Sequence, residues 1–390
     1  MKTVFILLFI LLTISKSSIS EIIYSGLTLQ GKFSDNEINY KYFYPFYINN
    51  KKEINKNLFQ IFKNKKNIVA KKSSNKSALV LSSSIAADDV AIYDYGKGFR
   101  TYIITFFPEV SIFDSSTKEI IHSMSAMATA THTTGKELSI ADLYKEIYLN
   151  NLKINLTDSC SSNKIIEVNI YQIFENLYDC IDIHNKPKNN LQINVRFDSK
   201  LKKQFPNLFS DKLSEQASIN SVAYRVTSLL SSNSAIEQIL VIPHSKDQKI
   251  TGVMKRFSDT TQISIKLPTP DFVIDTQLIG FQRKLKNEDY DQIHSLYASG
   301  ATIKILEPLS GTILFDSKFK NLWENYEPIS MKNLNENQEL SLFYRTLTRL
   351  YNEAFTNIFS ETPNKKYFDK YSYTEFKKVK QMHKSLKKAL

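Results

Sequence analysis

The chain has 390 residues, 42% hydrophobic and 12% aromatic, with nine glycines and ten prolines. That composition can bury sizeable cores and excludes a disordered, collagen-like or low-complexity chain. Lys and Arg number 51 against 39 Asp and Glu, a net charge of +12, which suits an anionic partner without naming one.

The first twenty residues read as a secretory leader. Lys2 supplies a short positive region, Val4–Ile14 an apolar core, and Ser18-Ile19-Ser20 the small residues of a cleavage site. The apolar run is shorter than the roughly 20 residues a membrane-spanning helix needs. No other stretch is long and apolar enough to cross a membrane, and no cysteine follows the core as a lipid anchor would require. The expected mature chain is exported, periplasmic or secreted, of about 370 residues, enough for two domains or more.

Lys, Asn and Ile are abundant, as an AT-rich genome produces, so the placement of charge says more than its total. Residues 51–72 hold eight lysines against Glu53, and residues 365–390 hold nine against Asp369 and Glu375. The rest of the mature chain is mildly acidic. Cys160 and Cys180 are its two cysteines. In an exported chain such a pair is expected as a disulfide.

In chain order, Glu21–Phe33 reads as a strand interrupted at Gly26. Tyr40–Ile48 is densely aromatic: Tyr40, Tyr42, Phe43, Tyr44, Phe46 and Tyr47 surround Pro45. Such a cluster is either a strand packed into a core or a flat platform for a sugar or peptide. Lys52–Lys66 suits a helix, with Ile54, Leu58, Ile61 and Phe62 on one side, and Lys71–Lys76 is a polar linker. Short strands follow at Ala78–Ile85, Val90–Tyr95, Thr101–Phe107, Val110–Phe113 and Lys118–Met124, an antiparallel meander by its close turns. A Thr-rich loop, Thr129–Gly135, leads to a helix from Ser139, with Asp142 giving a capping-box-like start.

Ile165–Ile173 and Leu191–Phe197 alternate like strands. Asp211–Leu230 has helical spacing, and Ile236–Ile242 reads as a buried strand. Gln262–Leu267 and Phe272–Phe281 are further strands, with polar Arg283–Tyr290 as a connector. A long helix, Leu340–Phe359, carries the strongest apolar stripe in the chain, ending at Thr362-Pro363. The Lys365–Leu390 tail places Phe376, Val379, His383, Leu386 and Leu390 on a narrow face, a segment expected to fray.

One stretch is written twice. Val110–Ser123 aligns without a gap on Ile303–Asp316, each with two apolar runs flanking a polar turn, Asp114–Lys118 and Glu307–Gly311. That is a β-hairpin signal. Each hairpin is followed by a helix opening on nearly the same word, Glu137-Leu-Ser-Ile140 and Glu339-Leu-Ser-Leu342. The expected fold class is α+β: two domains related by duplication, each an antiparallel sheet whose hairpin is followed by a long packing helix. The divisions are the leader 1–20, a domain 21–155, a disulfide-bearing connecting segment 156–208, a domain 209–362 and a basic amphipathic tail 363–390. In element order, and in its strand, Ser310-Gly311 turn, strand word, the second half is similar to small envelope domains such as the TolB amino-terminal domain. No functional residue comes with that similarity.

Catalytic patterns are absent from the sequence: no nucleophile elbow, phosphate loop, dinucleotide turn or zinc-binding His-Glu-x-x-His word occurs. Gly96-Lys97-Gly98 reads as a hairpin turn, and His122 and His132 as packing or surface residues. The expectation is a non-catalytic envelope or secreted protein, without cofactor or metal. It would dock on a protein partner or an anionic membrane or wall surface. Export disfavours nucleic acid. The contact candidates are Lys51, Lys52, Lys63, Lys65 and Lys66 in the first basic segment. In the tail they are Lys377, Lys378, Lys380, Lys384, Lys387 and Lys388. Deleting Lys365–Leu390 is expected to leave the fold intact and abolish envelope association. Two rival readings are an exported hydrolase or carbohydrate-binding module using Tyr42, Tyr44, Phe46 and Tyr47, and a structural subunit of an envelope assembly.

Overall fold

The computed structural model describes residues 21–29, 40, 42–65, 68–69, 79–94, 98–157, 165–231, 239–242, 249–255, 260–289 and 291–390. The leader, Lys66, the 71–76 linker, Gly96-Lys97 and Cys160 lie outside the described residues.

The first unit opens with β1 (Ile22–Leu29), then α1 (Phe43–Phe62) and β2 (Ile68–Val69). Next come β3 (Leu79–Asp94), β4 (Arg100–Asp114), β5 (Ile120–Ser125), β6 (Ala128–Thr134) and α2 (Ile140–Tyr148). It closes with β7 (Ile154–Thr157), β8 (Ile165–Val168) and α3 (Ile170–Asp179). Its sheet runs β2-β1-β3-β4-β6-β7-β8, and β5 extends the β6 position along β4. In the second unit, β9 (Asn189–Phe197), α4 (Ser199–Gln204), α5 (Lys212–Ser231) and β10 (Ile239–Val241) precede a separate hairpin, β11 (Lys249–Lys255) and β12 (Thr260–Lys266). The meander β13 (Phe272–Asp289), β14 (Gln292–Leu306) and β15 (Ile313–Pro328) leads to α6 (Glu336–Ile358), α7 (Lys365–Tyr371) and α8 (Phe376–Ala389). The second sheet runs β10-β9-β13-β14-β15.

The architecture is α+β, with strands longer than the sequence suggests. Two short strands fuse into β3 across Ala87-Asp88-Asp89, where the ladder to β4 shifts register between Ile85 and Asp88. Extra residues absorbed as a bulge look like a turn in sequence. Pro108 stands opposite Ile85 at that shift, so its missing N–H removes no regular ladder bond. Thr129–Gly135, expected as a loop, is mostly β6, and the expected connector from Arg283 continues β13 to Asp289. Each sheet is mixed: β2 and β3 run parallel to β1, and β10 and β13 run parallel to β9. Helices α1 and α5 make the crossovers that parallel pairing needs.

The two meanders share one register. Leu79 and Phe272 start the first strands of the two meanders, 272 − 79 = 193 residues apart, and Ile120 and Ile313 have the same spacing. The bulge after Ile85 recurs after Leu278, again 278 − 85 = 193. The second shift, between Ile112 and Phe113, recurs between Ile305 and Leu306. This is the spacing at which Val110 aligns on Ile303 in the sequence.

Residues 156–208 do not form a connecting unit. β7, β8 and α3 complete the first unit, and β9 is a central strand of the second. Ile170 onward is helix, not strand: Asn169 and Gln172 form a reciprocal capping box, and Ile170, Ile173, Phe174 and Leu177 are buried. Gly26, at φ +97, takes a backbone shape that side-chain-bearing residues avoid, and the β1–β3 register shifts there.

One face of the first sheet packs on α1, α2 and α3. Its other face meets α5 and α6, with Ala91 and Tyr93 of β3 inside the second unit's core. The tail is ordered. Phe368, Val379 and Leu386 are buried in that core, and α8 lies along β15. Deleting Lys365–Leu390 therefore strips core side chains, contrary to the expectation of an intact fold.

Candidate functional site

The aromatic residues proposed as a platform lie inside the first unit. Tyr42 precedes the first residue of α1, with Pro45 tolerated in its first turn. Tyr44, Phe46 and Tyr47 are buried with Tyr40 and Phe43. The Phe43 ring lies 5.4 Å from Tyr144 and 5.2 Å from Tyr148, and Phe46 lies 5.8 Å from both. Tyr47 donates its hydroxyl to the Leu27 carbonyl at 3.0 Å. These rings join α1 to α2 and β1, each pair adding about 0.5–1.5 kcal/mol beyond burial. Flat rings packed edge and face inside a core cannot stack on a sugar, so the platform reading falls.

The lysines separate into two groups. Lys52 and Lys63 are exposed and Lys51 half-buried along α1. Lys65 is already engaged, its Nζ 2.9 Å from Glu175 and 2.7 Å from Asp179 on α3, which takes it out of the free set. In α8, Lys377, Lys378, Lys380, Lys384, Lys387 and Lys388 are all exposed. The opposite side of the helix is held: Val379, His383 and Leu386 are buried, and His383 Nε2 lies 2.8 Å from the Ser360 carbonyl oxygen. Cys180 ends α3.

Sequence reasoning missed a cleft of about 700 Å³ between the first sheet and α5 and α6. Ile103, Thr105, Thr129 and Thr131 form its sheet wall, Arg225, Ser228 and Leu229 line it from α5, and α6 contributes Arg345, Thr348, Arg349 and Asn352. Trp323 of β15 stacks on Tyr297 at 5.1 Å, and the guanidinium carbons of Arg345 and Arg349 lie 5.2 and 5.7 Å from its ring. Arg225 is buried between Phe107 and Tyr344, 5.1 and 4.5 Å from their rings, and donates to Asp89 at 2.8 Å. Burial pushes the Asp89 carboxyl above its ordinary value, with Arg225 pulling the other way. The spacing of Arg345 and Arg349, one helical turn apart, was the only sequence signal for this site.

Among the described residues no group of three or more His, Cys, Asp or Glu side chains converges as a metal site would, and no helix is long and apolar enough to cross a membrane.

No family profile and no curated protein matches the chain. Solved structures similar to part of it include a hypothetical protein from Chlamydia trachomatis, 12% identical. That match covers 44% of this chain and 96% of that one, with a TM-score of 0.24. A minor lipoprotein from Acinetobacter baumannii is 11% identical over 44% of this chain and 93% of its own, TM-score 0.21. A putative neuraminyllactose-binding hemagglutinin homolog from Helicobacter pylori is 10% identical over 47% and 90%, TM-score 0.23. At such scores the fold and function must be argued from the chain itself.

Proposed function

We propose that the chain is an exported, non-catalytic docking protein, built from a duplicated α/β unit, that settles on an anionic envelope surface through the lysine face of α8. The observation that carries this reading is the way α8 is mounted. Val379, His383 and Leu386 pin its apolar side to the second unit, so six lysines project from a fixed helix instead of a loose tail. A lysine near an anionic lipid surface contributes about 1 kcal/mol, within a Debye length. A basic patch supported by the fold loses less conformational entropy on docking than a disordered one.

Deletion of the tail is the wrong test, because it removes core residues. Replacing Lys377, Lys378, Lys380, Lys384, Lys387 and Lys388 by Gln leaves the buried face untouched. The substituted protein is expected to keep the wild-type denaturation midpoint and to move from the envelope fraction to the soluble fraction of the producing cells. An unchanged envelope fraction would remove α8 from the account.

A further inference from the structure

The cleft between the units has no part in the α8 reading, yet its wall chemistry is selective. Arg345 and Arg349 sit one turn apart on the exposed side of α6, both against the Trp323 ring. Like charges at this spacing repel on a helix. Among the described residues, Arg349 has one carboxylate neighbour, Glu353, at 3.5 Å, and no carboxylate lies within ion-pair distance of Arg345. Among the described residues no acidic side chain lines the cleft, while Ile103, Met127, Leu229 and Phe355 give it apolar surface beside the arginines.

A second observation lies deeper. Ser228 Oγ and Arg225 Nε are buried polar atoms without a hydrogen-bond partner, and both residues line the cleft. Each residue is 2% exposed. A buried donor left unsatisfied costs roughly 1–3 kcal/mol, so two at one site mark a place where an acceptor from outside would be favourable. The volume falls within the roughly 300–1,000 Å³ of small-molecule sites.

We propose that this cleft binds a small amphiphilic anion. Its acid group, a carboxylate or phosphate, is received by Arg345 and Arg349, whose planar guanidiniums match such oxygens. Its apolar body lies along Ile103, Met127 and Leu229, and an acceptor oxygen on it satisfies Ser228 Oγ and Arg225 Nε. The indole of Trp323 forms the floor under the acid group and stiffens both arginines by cation–π contact.

Trp323 is the only tryptophan in the chain, so its emission reports on the cleft alone. The full mature chain is titrated with laurate below its micelle concentration, with inorganic phosphate, and with the uncharged alcohol of the same chain length. Laurate is expected to change Trp323 emission saturably. The Arg345→Gln/Arg349→Gln protein, altered only at exposed positions, is expected to bind laurate at least about tenfold more weakly with an unchanged circular dichroism spectrum. Phosphate saturating as tightly as laurate would overturn the apolar part of the proposal, and the alcohol doing so would overturn the anionic part. No saturable response to laurate, or equal affinity in the double variant, would overturn the site. None of these outcomes bears on the α8 lysines, which lie outside the cleft.

Discussion

Arg225 is the side chain on which the joint between the units turns. It reaches from α5 across the sheet face to Asp89 in the bulge of β3, held between one aromatic ring from each unit. Replacing it by Met keeps the volume but leaves the Asp89 carboxylate without its cation. The expected loss is about 3–5 kcal/mol, read as a fall in the urea midpoint, with Arg225→Lys failing to restore it because the planar stacking is gone. His122 on β5 is buried with Nε2 unpartnered, and burial lowers its pKa, against the opposing pull of Asp182 and with a smaller push from Lys186. A buried neutral imidazole binds fewer protons than the unfolded chain does. Its contribution to stability is whole above the ordinary histidine value of about 6.5 and is lost as pH falls through it. The urea midpoint is expected to drop as pH falls below about 6.5, with a flatter profile in His122→Gln; parallel profiles would contradict this. At this scale little was legible. The Arg225–Asp89 pair left no sign in the sequence, because partners 136 residues apart leave no local trace.

Among the elements, α7 and α8 depart furthest from expectation. The narrow stripe of the tail suggested fraying, since a thin apolar face alone rarely holds a helix. Its few apolar side chains instead reach deep: Phe368 is fully buried, 6.0 Å from the Phe319 ring on β15. Phe368→Ala is expected to cost roughly 3–5 kcal/mol, measured by denaturant unfolding; a change below about 1 kcal/mol would mean the tail is only loosely docked. A disulfide from Cys180 to Cys160 remains the proposal made from composition, with Cys160 outside the described residues. Removing it with Cys180→Ser is expected to cost about 3 kcal/mol, provided a non-reduced digest shows the linked peptide. The long helix α6 was legible because its apolar stripe runs through 23 residues, and the crossover helix α5 because 20 residues pass without Gly or Pro. Helix α3 was not, since a four-residue strand runs straight into its cap and the combined stretch alternates like one long strand.

At the scale of the molecule, the word written twice in the sequence falls on two hairpins, β4–β5 and β14–β15, that carry a register shift at the equivalent place. Fourteen residues aligned without a gap because the hairpin and its register shift are held by strand pairing, where an insertion would throw every later side chain to the wrong face. The crossover halves, freed from that constraint, differ in length, and so do the helices after each hairpin. α2 stops after nine residues, whereas α6 runs for 23 and covers the first sheet as well as its own. The face of the first sheet that meets α5 and α6 has a counterpart in the second, carrying half-buried Leu296 and Ala298 and exposed Leu322. What the sequence could not show was the cleft, because its walls come from both units and from no motif.

The fixed lysine face of α8 is expected to hold the protein to an anionic surface. Sedimentation of the mature chain with vesicles of increasing anionic lipid content, at low and high salt, measures it. The expected result is binding that rises with anionic content, falls steeply as salt screens the lysines, and is lost in the six-lysine glutamine variant while its unfolding midpoint is kept. Binding that ignores salt and survives those six substitutions would contradict it.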